Sequence, residues 1–301
     1  MNKQTKNIIQ FSFLAFVPMI IMGLGGSRID YHSPWGTGLA AVCMLFPLIA
    51  TITLQLMAHE KPLRNIGVSW KVNRWWFIGW LLMPVIALIV TGVSALMPGA
   101  ELTTNTGLIQ AQVAAMNEMA QGQGGVAITP MLLIGITLLS ALFAGATINA
   151  LFAFGEESGW RGYLLSQFQG QHFSKSALII GAIWGVWHSP LILLGHNYPE
   201  HPVAGVFMMV LFCMAFAPLI QYFRVKSGSV IVAAIIHGTF NAVAGLSILL
   251  INNFNDLLCG STGLAGILTI LAIDLLFFLF DKYVTKENIF TSRLGDEQSN
   301  K

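Results

Sequence analysis

Eight stretches of about 20 apolar residues, the length that crosses the hydrocarbon core of a bilayer as a helix, take up most of this chain. In lipid, every backbone amide and carbonyl must be satisfied internally, which leaves only helices and closed barrels. Barrel strands are about half this length and alternate in polarity; these segments do neither. The sequence therefore predicts an all-α, polytopic membrane protein: a bundle of eight transmembrane helices. The predicted segments are 8–26, 36–57, 75–97, 129–154, 176–195, 203–223, 228–251 and 262–284. Composition agrees: 55% of the residues are hydrophobic and only 9% are charged, against about a quarter charged in a soluble domain. The net charge of +2 leaves no footprint for nucleic acid.

Basic residues orient the bundle. With the N-terminus inside, all but Arg28 of the 15 Lys and Arg residues fall on the cytoplasmic side. The positive-inside rule then predicts a multi-pass membrane protein with both termini cytoplasmic; the expected location is the cell membrane, a bacterial plasma membrane. Lys3 and Lys6 precede an apolar run too long for a signal peptide and without a convincing cleavage site, so a retained first helix is expected. Trp75, Trp76 and Trp80 fit an interfacial aromatic belt. The outer connection 98–128 is expected to carry a short surface helix, Ile109 to Met119, and the polar tail 285–301 to be disordered. Cys43, Cys213 and Cys259 lack the spacing of a disulfide framework or a thiolate zinc site and read as buried thiols.

Polar groups are scarce in the apolar segments, which makes the exceptions informative. Glu156 and Glu157 are adjacent near the inner end of the fourth segment. Neighbouring residues on a helix point about 100° apart, so the two carboxylates cannot do the same job. Glu157 and Arg161 are spaced to pair on one face, leaving Glu156 to turn into the bundle. His188 lies in the fifth segment, one turn after Trp184 and just before the helix-weakening Pro190. His237 and Asn241 share a face of the seventh segment. Each has a plain structural reading alone: an interfacial ion pair, a hydrogen-bonded histidine, glue between helices. Jointly, three segments place acid, imidazole and amide in the inner half of the membrane, where depth estimates open their shared cavity to the cytoplasm. His32, His59, His172, His196 and His201 fall in loops, where a histidine needs no explanation.

Glu-Glu-x-x-x-Arg, an aromatic-x-x-x-His and His-x-x-x-Asn, in that order on successive apolar segments, resemble the CPBP family of intramembrane proteases, which includes the type II CAAX prenyl endoproteases. The second motif departs from the family's frequent Phe by having Trp184. The resemblance covers about 129–250. It implies a CPBP-like catalytic core at 129–251, preceded by three helices and an outer loop (1–128) and followed by a last helix and cytoplasmic tail (252–301), in one structural domain. It also implies an endopeptidase acting on a membrane protein or a lipid-tethered peptide in the bilayer. Glu156 and His188 resemble the pair that activates water, and His237 and Asn241 the pair that stabilises the oxyanion, with Glu157, Arg161 and Trp184 in support. No cofactor is favoured. Zinc is the alternative, with Glu156, His188 and His237 as ligands, although the His-Glu-x-x-His helix of zincins is absent. Two rivals remain: a non-catalytic scaffold or bacteriocin-immunity-type protein with the same fold, and a solute transporter with a proton relay. Transporters often show inverted repeats with broken helices in both halves, whereas the polar set here is confined to segments four to seven.

Overall fold

A computed structural model describes residues 2–25, 34–121 and 127–295. The predicted loop carrying Arg28 and His32 lies outside the described residues, as does Lys301. The chain is helical nearly throughout: α1 (Lys3–Gly25), α2 (Pro34–Cys43), α3 (Phe46–Met57), α4 (Arg74–Ser94), α5 (Gly107–Gln121) and α6 (Pro130–Ala144) come first. There follow α7 (Ala150–Glu157), α8 (Phe173–Trp187), α9 (Ser189–Ile192), α10 (Pro202–Ser227), α11 (Val230–Val243), α12 (Leu246–Leu250) and α13 (Leu264–Leu279). A π-helical turn, Gly145–Asn149, joins α6 to α7, and a second, Ser158–Leu164, extends α7, which makes one continuous 35-residue helix ending at Leu164. This is a polytopic helical membrane protein.

Seven helices among the described residues are long and apolar enough to span a bilayer. The remaining predicted segment, 176–195, is α8, which is 15 residues long and apolar. Pro190 explains its length: the helix stops at His188 and restarts as α9 with the proline in its first turn, where a missing N–H costs nothing. Outward faces carry Phe13, Leu81, Leu151, Phe207 and Leu276, each at least half exposed, as lipid contact requires. Inward, Phe11, Met83, Trp160, Ile180, Phe216 and Ile236 are fully buried.

Loop contacts define the two ends of the bundle. At one end, Asn7 bonds Gln167, His172 bridges to Arg293, Ser229 bonds Ser69, and Lys226 pairs with Glu287. Every described Lys and Arg lies within about one turn of this end, so it is the basic end. At the other, β1 (Glu101–Leu102) pairs antiparallel with β2 (Ile251–Asn252), Asn253 bonds Gly99, and Tyr198 bonds Thr262. Both ends of the described chain sit at the basic end.

Two expectations need correction and a third holds. The tail is ordered as far as Gly295: Ile289, Phe290 and Leu294 are buried, and Phe290 packs against Phe173 and Tyr222. Its three apolar residues, spaced through a polar stretch, supply enough burial to hold it. Trp75 and Trp76 are buried in the protein rather than lining a belt; Trp75 meets Tyr222, Phe223 and the ammonium of Lys226. The expected surface helix does form, as α5, beginning two residues earlier than Ile109.

Candidate active site

Small residues let the site helices approach closely. A Cβ on Gly181 would lie 2.6 Å from the Cys213 carbonyl oxygen, and one on Gly185 would lie 2.5 Å from Val210 Cα, so α8 and α10 touch backbone to backbone. On the opposite side, a Cβ on Gly238 would lie 2.5 Å from Ala150 N and 2.6 Å from the Gly145 oxygen. Gly238 therefore sets α11 directly against the start of α7. Close backbone packing through small residues is the usual basis of helix association in lipid, where no hydrophobic force acts between helices.

These contacts bring the predicted residues together. Glu156, His188, His237 and Asn241 all line one cavity of about 370 Å³, with Trp184, Asn149, Phe152 and Phe216 among the other walls. The Glu156 carboxylate is 2% exposed. Its Oε2 accepts from the Trp184 indole at 2.6 Å and from the Trp160 indole at 3.2 Å. His188 Nδ1 lies 2.9 Å from the Trp184 carbonyl oxygen. A carbonyl only accepts, so Nδ1 carries the hydrogen, and in the neutral ring the lone pair is on Nε2. The Trp184 ring also packs edge-on against His237, with centroids 5.3 Å apart.

Glu157 has a different task from Glu156. It and Arg161 are completely buried and pair at 3.0 Å, so the i,i+4 pair is internal rather than interfacial. The same oxygen, Glu157 Oε1, is 2.9 Å from His237 Nδ1. Arg161 lies over the Trp184 ring, 4.5 Å from its centroid, a cation–π contact strengthened by burial. Glu157 thus orients His237 while Arg161 compensates its charge, and His237 Nε2 is left as the nitrogen able to meet a substrate.

Two sequence expectations fail on placement. The fourth segment does not end at 154; its helix runs to Leu164, so Glu156 lies about 12 Å in from the basic end. His188 sits at the far end of α8, about 22 Å from that end. The cavity extends away from the basic end: its remaining lining includes His196, Asn197 and Thr262, all from connections at the opposite end. His196, set aside as an ordinary loop histidine, is therefore a cavity residue. Beside it, Tyr198 donates to the Thr262 carbonyl at 2.7 Å and ties the two connections together; burial raises the pKa of this hydroxyl. Sequence reasoning also missed Trp160 and Asn149. Trp160 was signalled by its position four residues after Glu156 on the same helical face. Nothing in the sequence marked Asn149.

The alternative zinc set fits poorly. Among the described residues, only Glu200, His201 and Asp256 bring three ligand atoms within 4.8 Å of one another. Glu156, His188 and His237 do not converge to that extent, and Glu156 Oε2 is already taken by two indole donors.

Fold and cavity define a class: a polytopic membrane protein with a carboxylate, two imidazoles and an amide around an intramembrane chamber. Residues 137–243 match the family described as type II CAAX prenyl endopeptidase Rce1-like. CAAX prenyl protease 2 of Methanococcus maripaludis is 24% identical over 187 residues, which is 61% of this chain and 62% of the relative. The chain thus spans less than two thirds of the length of that curated relative. Both matches support the resemblance to type II CAAX prenyl endopeptidases, and all seven residues of the sequence motifs lie within 137–243.

Proposed function

We propose that this protein is an intramembrane endopeptidase that hydrolyses a peptide bond of a membrane protein or lipid-tethered substrate without a metal. The observation that carries this reading is the lining of one chamber by Glu156, His188, His237 and Asn241. With Oε2 held by two indoles, Glu156 has Oε1 for water. It takes a proton as the water oxygen bonds to the scissile carbonyl carbon. His188 Nε2 accepts from the same water and fixes its direction. The oxyanion that forms is met by the Asn241 amide and by His237 Nε2 when that ring carries both protons. Glu156 then returns its proton to the amide nitrogen as the C–N bond breaks, giving an acid and an amine. The family description and the relative's name support a peptidase, and the residues that line the chamber suggest how it would work.

The test is hydrolysis by the purified protein in detergent, read by mass spectrometry on a library of lipidated and unmodified peptides. Wild type should cleave a subset and Glu156→Gln none, at equal folding. Equal cleavage by both would refute the carboxylate mechanism. No cleavage by either, together with full function of Glu156→Ala in a cellular phenotype assay, would favour the scaffold or immunity reading.

A further inference from the structure

We infer that the chamber is served from the non-cytoplasmic face of the membrane, so that its substrate is a peptide segment presented at the outer leaflet. This deepens the proteolytic reading above and rests on it for the word substrate; the sidedness itself does not.

Two independent observations meet here. The first is charge. Every described Lys and Arg is at the basic end, while the connections at the other end carry Glu101, Glu118, Glu200 and Asp256 and no described Lys or Arg. Most connections between the spans are short, the condition under which basic residues fix orientation, and so the basic end is cytoplasmic. The second is the direction of the cavity. From Glu156 its wall passes through His188 at the far end of α8 to His196 and Asn197, then across to Thr262. Asn197 is exposed, and the Tyr198–Thr262 bond joins the two connections at this rim. No lining residue comes from the basic end. On that side the floor is closed by the buried Glu157–Arg161 pair, the Trp160 ring, and Arg224, which bonds the Arg161 and Ile66 carbonyls. A peptide arriving from the cytoplasm would have to displace these buried charges. One arriving from the other face meets connections that, among the described residues, carry only acidic charge.

Orientation is tested on the full chain in intact cells with a membrane-impermeant thiol reagent. Glu101→Cys reports the chamber end and Lys71→Cys the basic end. The wild-type chain is the blank, because Cys43, Cys213 and Cys259 are all buried. Glu101→Cys should label as fully in intact as in permeabilised cells, and Lys71→Cys only after permeabilisation. A green fluorescent protein fused after Lys301 gives a second readout without substitution, and should fluoresce. Protection of Glu101→Cys with labelling of Lys71→Cys, or a dark fusion, would overturn the inference. Hydrolysis in detergent does not depend on orientation. A reversed topology would therefore leave the peptidase reading standing, and loss of that reading would leave the topology standing.

Discussion

Trp184 holds Glu156 from one end of its side chain and His188 from its own backbone. The indole N–H donates to Glu156 Oε2 at 2.6 Å, and the main-chain oxygen accepts from His188 Nδ1 at 2.9 Å. The two groups assigned to water activation are thereby fixed to one residue. The same ring supports Arg161 on its face and touches His237.

Trp184→Phe keeps an aromatic ring and removes the donor. A hydrogen bond to a charged group is worth about 1.5–3 kcal/mol, so kcat/KM should fall roughly 10- to 100-fold. The melting temperature should move little, since most of the ring volume remains. Trp160→Phe removes the longer bond and should cost less. Wild-type kcat/KM in purified Trp184→Phe would show that the indole does not position Glu156.

Glu157→Ala should damage folding before chemistry. It leaves the Arg161 guanidinium buried without its counter-charge, which typically costs about 3–5 kcal/mol. Adding Arg161→Leu to Glu157→Ala should recover much of the lost thermal stability in detergent. It should not recover activity, because His237 would still lack the carboxylate that orients its Nδ1. A double variant no more stable than Glu157→Ala would show that the pair does not act as a charge unit.

Gly238→Ala tests the backbone contact that places His237. A methyl group there would meet Ala150 N and the Gly145 oxygen at about 2.5 Å, and backbone cannot give way as a side-chain tip can. Overpacking of this kind costs about 1–3 kcal/mol. Displacing α11 from α7 should lower both melting temperature and kcat/KM. Normal values for both would mean that the helices are free to separate without consequence.

Much of this was legible in the sequence because lipid makes polar residues conspicuous. Helix existence followed from apolar length, and the motif residues stood out as exceptions in otherwise apolar segments. Boundaries were less legible. Nothing in Glu-Glu-Ser-Gly-Trp-Arg announces that the helix continues through a π-helical turn to Leu164, because a buried ion pair and an interfacial one have the same i,i+4 spacing. That single misplacement put Glu156 at the membrane edge and turned the cavity toward the wrong end. His196 was missed for a related reason. A loop histidine acquires a role only when another loop, here the one with Thr262, folds beside it, and a pattern read along one chain does not record that meeting.

Removing metal should leave activity unchanged. Glu156 Oε2 already receives two indole hydrogens. The Nδ1 bonds of His237 and His188 leave each Nε2 open, as in a metal-binding imidazole, so spacing decides. The remaining ligand atoms are not gathered to the spacing found at Glu200, His201 and Asp256, whereas zinc takes its ligands at about 2.0–2.3 Å in a tetrahedron. Elemental analysis of the purified active protein should find zinc well below one equivalent, and dialysis against a chelator should not lower hydrolysis. Glu200→Gln with His201→Ala controls for an ion held at the outer cluster: any zinc bound there should vanish while activity persists. Stoichiometric zinc that survives this control, leaves on chelation together with activity, and restores it on return would make Glu156, His188 and His237 ligands and replace the carboxylate mechanism with a Lewis-acid one.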